Sequence, residues 1–192
     1  MAVNLTLLKR CTRDERKAQH QLYQESYGFL KATAMRYLQQ PDDVSAIINT
    51  SFLKILNGLK KFLEENPADK HIYWSKRILI NVVIDDFRKN KKYREQEQAF
   101  DFNGEDYPVP YVDWGEAQTE LTAEDLENML LHLPELRRKV FNLFAIDGYK
   151  HQEIAALLDI SEGNSKWHVS VARKQLQALL AKWLETKSIV VK

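Results

Sequence analysis

The sequence predicts an all-α fold in which two small helical domains are joined by an acidic linker, and the second domain is a helix-turn-helix. Apolar residues recur at three- and four-residue spacing in both halves of the 192-residue chain, which is the period of an amphipathic helix. Alternation typical of a β-strand is short wherever it occurs. Residues 93–121 contain two prolines and two glycines and have no sustained period, which indicates a linker. The predicted domains are therefore residues 1–92 and 122–192.

The first domain begins with two amphipathic helices. In residues 22–38, apolar side chains recur on one face until Pro41 ends that helix and begins the next. In residues 44–62, they form a stripe wide enough to pack against two neighbours. That stripe consists of Ile47, Ile48, Phe52, Ile55, Leu56, Leu59 and Phe62. Asn66 and Pro67 then break the pattern in a surface loop, so a compact helical bundle is expected.

The third helix of this domain, residues 73–92, is almost wholly apolar over residues 78–84 and strongly basic after Phe87. One of its faces carries aromatic, amide and charged groups, namely Tyr73 or Trp74, Arg77, Asn81, Asp85, Arg88 and Lys92. Stacking rings combined with guanidinium and amide groups suit unpaired bases and phosphates. Two alternatives stay open, in which Asn81 is a buried, hydrogen-bonded amide and Trp74 is a core aromatic.

The net charge of +1 hides a strong segregation of charge along the chain. Residues 1–92 carry 17 Lys and Arg against 10 Asp and Glu, residues 93–125 carry 1 against 10, and residues 126–192 carry 10 against 7. Two basic blocks therefore flank an acidic connector.

Residues 148–180 have the pattern of a helix-turn-helix. Gly148 can take the left-handed conformation that ends the preceding helix, and a short helix follows as far as Leu158. In the connector, Ile160 can enter the core and Ser161 can cap the next helix. The longer second helix has a buried stripe of Val169, Ala172, Leu176, Leu179 and Trp183.

The other face of this second helix is basic, polar and aromatic. It carries Lys166, Trp167, Ser170, Arg173 and Lys174. Trp167 points roughly 200° away from Val169, where a large ring loses burial unless a partner covers it. Recognition helices present N-terminal side chains to the DNA major groove, so Lys166 and Trp167 suit base edges, and Ser161 and Asn164 suit phosphates. The alternative is a face that is only solvated.

Composition excludes several classes of protein. The single cysteine, Cys11, excludes a disulfide framework and a cysteine-rich zinc site, and it agrees with a cytoplasmic location. The sequence has no run of about eighteen apolar residues, so we expect no membrane insertion. It also has no apolar segment followed by a small-residue cleavage site, so secretion by that route is not expected.

Nothing in the sequence favours catalysis. Asp85 and Asp86 point about 100° apart on a helix and have no histidine at ligand spacing, so neither a metal nor another cofactor is expected. Asp85 is instead expected to pair with Arg88 or Lys89. The five histidines are scattered and the six glycines are dispersed, so we expect no catalytic site and no small-molecule substrate.

Two motifs in a fixed order carry a resemblance to a known family. Residues 74–88 have the sequence Trp-Ser-Lys-Arg-Ile-Leu-Ile-Asn-Val-Val-Ile-Asp-Asp-Phe-Arg, and residues 133–137, Leu-Pro-Glu-Leu-Arg, precede the helix-turn-helix. Across residues 22–180, the chain resembles the bacterial extracytoplasmic-function (group IV) RNA polymerase sigma factors. Further matching positions are Phe52, Gly148, Glu153, Ile154, Ala155, Leu158, Ser161, Glu162, Gly163, Ala172, Arg173 and Leu176. The resemblance implies a dissociable polymerase subunit, without catalytic activity, that directs the core to promoters and assists their melting.

The resemblance also implies three binding surfaces and a set of partners. The melted −10 strand would contact Lys70, His71, Trp74, Arg77, Asn81, Arg88 and Lys92. The −35 duplex would contact Ser161, Asn164, Lys166, Trp167, Ser170, Val171, Arg173 and Lys174. The polymerase core would bind through its clamp and flap regions, the clamp contacting Ile48, Asn49, Phe52 and Lys54. An anti-sigma factor is a further implied partner, and the acidic linker would occupy the basic channel that otherwise holds RNA.

The chain departs from the family pattern in the clamp-binding helix and in the recognition helix. Ser45, Ala46 and Asn49 replace an acidic pair and a glutamine, Asn164 and Ser165 replace a Thr-Val pair, and Val171 replaces an arginine. The resemblance therefore does not carry over a promoter sequence.

Three other functions compete with this one. In a conventional helix-turn-helix repressor or activator, the first domain would dimerise or sense a signal, and no polymerase core would be bound. In a helical metal hydrolase, Asp85 and Asp86 would act with nearby histidines. In a module that binds only proteins, the basic faces would meet acidic partners, and salt-dependent affinity for nucleic acid would argue against it.

Overall fold

A computed structural model describes residues 4–89 and 121–190, and all regular structure in these two ranges is helical, as the sequence predicts. The chain divides into two compact units, residues 1–90 and 91–192. The predicted linker, apart from residue 121, and the predicted contact residue Lys92 lie outside the described residues. Within those ranges, no helix has the length and apolar character needed to cross a membrane.

The first unit is a bundle of four helices with a short connecting turn. The helices are α1 (Leu5–Cys11), α2 (Arg16–Met35), α3 (Pro41–Glu65) and α4 (His71–Lys89), and a 3₁₀ turn (Ala68–Lys70) joins α3 to α4. The predicted break at Asn66 and Pro67 is confirmed. Helix α2 begins six residues before the predicted start because its apolar face already includes Ala18, which is fully buried. Helix α1 was not predicted, because seven residues are too few to show a helical period.

The core of the first unit forms where α1, α2, α3 and α4 meet. One cluster of buried residues in it consists of Leu7, Leu8, Cys11, Ala18, Leu22, Phe52, Leu59 and Phe62. Ile48 and Phe52, both predicted to contact the polymerase clamp, are buried, with only 0% and 7% of their surface exposed, so their side chains do not lie on the outer face of α3. Both belong to the apolar stripe of α3 that packs inside the bundle.

The second unit is organised around one long helix. Its helices are α5 (Ala123–Leu131), α6 (Glu135–Phe141), α7 (His151–Leu158) and α8 (Glu162–Val190), with a π-helical turn (Asn142–Ile146) after α6. Helix α8 packs against the other three. In its predicted stripe, Val169 and Ala172 are buried, whereas Leu176, Leu179 and Trp183 are half-buried.

Turn residues set the helix boundaries in this unit. Gly148 has φ +74°, which is the left-handed conformation predicted for it. Ser161 caps α8 as predicted, because its Oγ accepts a hydrogen bond from the Asn164 backbone N–H at 3.0 Å. At the start of α5, Thr122 and Asp125 form a reciprocal capping box.

Candidate nucleic-acid and polymerase interfaces

The outer face of α4 carries an exposed polar stripe, which we call the α4 stripe and define as Arg77, Asn81, Asp85 and Arg88. Most of the apolar residues between these positions are buried in the bundle, whereas Ile78 is half-buried and Asp86 is exposed. The buried ones are Leu79, Ile80, Val82, Val83, Ile84 and Phe87. The apolar side therefore fixes α4 in the core and leaves an amide and two guanidinium groups in solvent. The alternative in which Asn81 is a buried amide is wrong.

Two adjacent aromatic residues at the start of α4 have different environments. Trp74 is half-buried and its ring stacks on Phe62, with the ring centroids 4.5 Å apart. A Cβ on Gly58 would lie 3.0 Å from the Trp74 ring, so the glycine permits this close approach. Tyr73, in contrast, is 73% exposed. Trp74 is thus packed on the core, and Tyr73 is the aromatic residue at the surface.

His71 does not lie at the surface, contrary to the prediction that it contacts DNA. Only 6% of its surface is exposed, its Nε2 lies 3.3 Å from the Ser75 Oγ, and its ring meets Phe62 edge-on. Burial lowers the pKa of His71, because the charged imidazolium would lose its hydration. Lys70, one residue earlier, is exposed and remains available to a partner.

The outer face of α3 has polar residues and one large apolar side chain. Asn49 and Lys54, both predicted to bind the polymerase, are exposed. Asn49 Oδ1 accepts a hydrogen bond from the Tyr23 hydroxyl at 2.9 Å. Leu53, which is not among the contact residues predicted from the sequence, is 62% exposed. Its position one residue after Phe52, outside the buried stripe, was the signal that could have identified it.

An ion pair connects α3 to the α4 stripe. The Lys54 Nζ lies 3.8 Å from the Asp85 Oδ2, and both side chains are half exposed. The helical spacing predicts a different pair for Asp85, with Arg88 or Lys89 on its own helix. Among the described residues, no group of three or more His, Cys, Asp or Glu side chains could hold a metal ion.

The predicted −35 contacts lie at the capping residue Ser161 and within about the first four turns of α8. Ser161, Lys166, Ser170 and Arg173 are exposed, whereas Asn164, Trp167, Val171 and Lys174 are half-buried. The Lys166 ammonium pairs with the Glu162 carboxylate at 2.6 Å. The hydrogen bond from Lys166 lowers the pKa of Glu162 below its usual value.

Trp167 is less exposed than the sequence predicted. The Arg137 guanidinium lies over its ring, 5.3 Å from the ring centroid. The neighbouring His168 ring meets it edge-on, with the centroids 4.9 Å apart. His168 is itself buried, and burial together with the charge of Arg137 lowers its pKa to about 4. The helical pattern of α8 could not show that Arg137 covers the Trp167 ring, because Arg137 lies on a different helix, α6.

A second group of contacts fixes α7 against α8. The His151 ring stacks on Phe144 with the centroids 4.3 Å apart, and its Nδ1 is hydrogen-bonded to the Ser165 Oγ at 3.0 Å. The Arg173 guanidinium lies 5.7 Å from the centroid of the same Phe144 ring. These contacts hold the two helices of the helix-turn-helix at one angle.

Comparison with known families assigns both units. The family model described as Sigma-70 region 2 matches residues 22–93, which include α3 and α4. The model described as Sigma-70, region 4 matches residues 123–176, which include the helix-turn-helix. Each unit therefore corresponds to one region of a sigma-70 protein.

Two characterised relatives indicate which group of sigma-70 proteins the chain resembles. The chain is 29% identical over 154 residues to the ferric citrate uptake sigma factor FecI of Escherichia coli, across 79% of this chain and 84% of that protein. It is 22% identical over 186 residues to the ECF RNA polymerase sigma-E factor of Haemophilus influenzae, across 92% of this chain and 96% of that protein. The chain belongs to the sigma-70 family and is an alternative sigma factor of the extracytoplasmic-function group. It binds RNA polymerase core and promoter DNA and directs transcription initiation.

Two solved structures are also similar, each with a TM-score of 0.49. One is the structure of CnrH in complex with the cytosolic domain of CnrY. Its matched chain is 20% identical to this one, and the match covers 94% of this chain and 99% of that chain. The other is the co-crystal structure of the sigma factor RpoE in complex with the anti-sigma factor NepR from Bartonella quintana. Its matched chain is 22% identical to this one, and the match covers 84% of this chain and 96% of that chain.

Proposed function

We propose that the two units divide the promoter between them. The first unit, within residues 1–92, binds the polymerase clamp and the melted −10 strand. The second unit, within residues 122–192, reads the −35 element as duplex DNA, and residues 93–121 connect the two. The observation that carries this proposal is the α4 stripe, whose cationic and amide groups face solvent on a helix whose apolar side is buried in the bundle.

In the first unit, the single strand would lie along the α4 stripe. Arg77 and Arg88 would contact phosphates, and Asn81 would hydrogen-bond an unpaired base. Tyr73, four residues before Arg77, supplies a ring on which a base can stack. Lys70 would add a further phosphate contact at the end of the connecting turn.

The clamp would bind the outer face of α3. Leu53 would be the apolar centre of that contact, since a large exposed side chain gains most from being covered by a partner. Asn49 and Lys54 would supply polar contacts at its edge.

In the second unit, the start of α8 would enter the major groove. Lys166, Trp167, Ser170 and Val171 would approach the bases, because they occupy the first turns of the helix. Ser161, Asn164, Arg173 and Lys174 would contact the phosphate backbone.

We further propose that the protein is not an enzyme and that it acts in the cytoplasm. A sigma factor selects and opens promoters, whereas the polymerase core forms the phosphodiester bonds. We include an anti-sigma factor among its partners because the family resemblance implies one.

Transcription in a purified system tests the sigma function. Core polymerase would transcribe a fragmented genomic library with and without this chain, and new discrete start sites are expected only when the chain is present. Their upstream sequences would give the −10 and −35 elements together. If no new start sites arise and the isolated chain binds duplex DNA tightly, a conventional helix-turn-helix regulator becomes the better assignment.

The role of Asn81 needs a separate variant. Asn81→Ala should slow promoter melting, measured as permanganate reactivity of thymines in the opened region, without changing the unfolding temperature. Gln24→Ala is the matched control, because Gln24 is an exposed amide on α2, away from the α4 stripe. An unchanged melting rate in Asn81→Ala would remove Asn81 from the −10 contacts.

A further inference from the structure

The indole of Trp167 is held by groups of its own unit. The Arg137 guanidinium covers its ring at 5.3 Å from the centroid, and the His168 ring meets it edge-on. A cation over an indole face is an attractive contact, and it is strongest for tryptophan among the aromatic side chains. A change in the Trp167 rotamer would give up both contacts, so the ring has a preferred orientation before DNA arrives.

Arg137 is itself held in position. It lies on α6, and its Nη1 donates a hydrogen bond to the Gln175 Oε1 on α8 at 3.0 Å. Gln175 follows Trp167 by about two helical turns. The planar guanidinium can stack on the indole with its face while its edge donates to an amide, and a lysine ammonium cannot do both. Arg137 thus connects α6 to two positions on α8.

We propose that Arg137 is a positioning residue for promoter selectivity, which orients the Trp167 indole and thereby makes −35 preference depend on a helix outside the helix-turn-helix. This inference rests on the proposed role of Trp167 in reading the −35 element. An oriented ring loses less conformational freedom on binding than a mobile ring does. It also presents one shape to the bases, so a mismatched base cannot be accommodated by turning the ring.

A promoter library tests this role in the complete holoenzyme. The library is randomised at the −35 element and transcribed by core polymerase with the wild-type chain or with a variant. Sequencing of the transcripts gives the ratio between preferred and disfavoured −35 sequences for each protein. The variants are Arg137→Ala, Arg137→Lys, Trp167→Ala and the double variant Arg137→Ala/Trp167→Ala.

Arg137→Ala should lower that ratio by about two- to five-fold, which is the size expected from losing one cation–π contact. Arg137→Lys should lower it less, because the charge stays but the bond to Gln175 is lost. The double variant should match Trp167→Ala alone, since Arg137 acts through the indole. Arg36→Ala is the matched control, because Arg36 lies over the Tyr37 ring in the first unit, at 5.9 Å from its centroid. This control should leave the −35 ratio unchanged.

Three results would overturn the inference in distinguishable ways. If Trp167→Ala lowers the ratio and Arg137→Ala does not, Trp167 reads DNA without help and only the positioning role fails. If Arg137→Ala reduces transcription equally from all sequences, its role is structural. If Trp167→Ala leaves the ratio unchanged, the proposed −35 contact itself fails. If thermal unfolding shows that Arg137→Ala does not fold, the −35 ratio of Arg137→Lys is compared with that of Trp167→Ala instead. An unchanged ratio in Arg137→Lys would then overturn the positioning role.

Discussion

Two adjacent residues of α4, Tyr73 and Trp74, have different environments because neighbouring side chains on a helix point in different directions. A rotation of about 100° per residue directs one ring to solvent and the other towards α3. The sequence could not decide between them, because both fall near the polar face of the helix. The decision comes from Gly58 and Phe62 on α3, which leave space for the Trp74 ring and stack against it.

Substitution of the two rings should therefore have opposite consequences. Tyr73→Ala should weaken open promoter complexes, by about 1 to 3 kcal/mol for one lost base stack, and should leave the unfolding free energy unchanged. Trp74→Ala should lower the unfolding free energy by about 2 to 3 kcal/mol, because it removes part of the core. Denaturant unfolding and open-complex stability would be measured on both variants. Equal losses of stability would show that Tyr73 is not a surface residue in solution.

His168 should make the stability of the second unit depend on pH. Its pKa is about 4 in the folded chain against 6.5 for an ordinary histidine, so protons bind the unfolded chain more tightly. The stabilising contribution is complete above pH 6.5 and is lost as the pH falls from 6.5 to about 4, a difference of about 3 kcal/mol. Thermal unfolding of the full chain across that range would measure it.

His168→Phe should remove that part of the pH dependence. Its Nδ1 is buried without a hydrogen-bond partner among the described residues, so a phenyl ring loses no such bond at that atom. His132→Phe is the control, because His132 is exposed at the end of α5. A pH profile that His168→Phe leaves as steep as before would contradict the assignment.

At the scale of the helices, two boundaries in the second unit were predicted correctly from the sequence. Gly148 and Ser161 act through local backbone geometry, which the sequence shows directly. Burial of Ile48 and Phe52 agrees with the apolar stripe that the helical pattern predicts. Burial of His71 depends on the packing of its ring against Phe62, and a single helical pattern does not contain that information. The sequence assigned these three to binding surfaces because the family motif includes their neighbourhood, and the fold buries all three.

Two glycines allow a matched test of helix and turn geometry. Gly148→Ala should destabilise the chain by about 1 to 2 kcal/mol, because its φ of +74° is strained for any residue with a Cβ. Gly28→Ala should stabilise it by about 0.5 to 1 kcal/mol, because Gly28 lies within α2 and an added Cβ would meet no atom within 4 Å. Urea unfolding of both variants would measure the difference. A neutral Gly148→Ala would mean that this turn adopts another conformation in solution.

At the scale of the whole molecule, the charge distribution agrees with the proposed division of the promoter only in the first unit. Residues 1–92 carry 17 basic against 10 acidic side chains, whereas residues 122–192 carry 10 against 9. The first unit can therefore attract phosphates through its net charge, whereas the second unit depends on the local cations of α8. The sequence predicted the two helical parts because the linker interrupts a strong periodic pattern. The residues that approach DNA could be chosen only after the buried faces were known.

The salt dependence of promoter binding should measure one phosphate contact of the α4 stripe. Arg88→Ala should weaken holoenzyme–promoter complexes to a similar extent on all promoter sequences and reduce the slope of log affinity against log salt by about 1, because one fewer counterion is released. Lys9→Ala is the matched control, because Lys9 is an exposed cation on α1, outside the α4 stripe. It should leave the slope unchanged. An equal change in both variants would indicate a general effect of net charge, and a loss restricted to particular −10 sequences would assign Arg88 to a base instead of a phosphate.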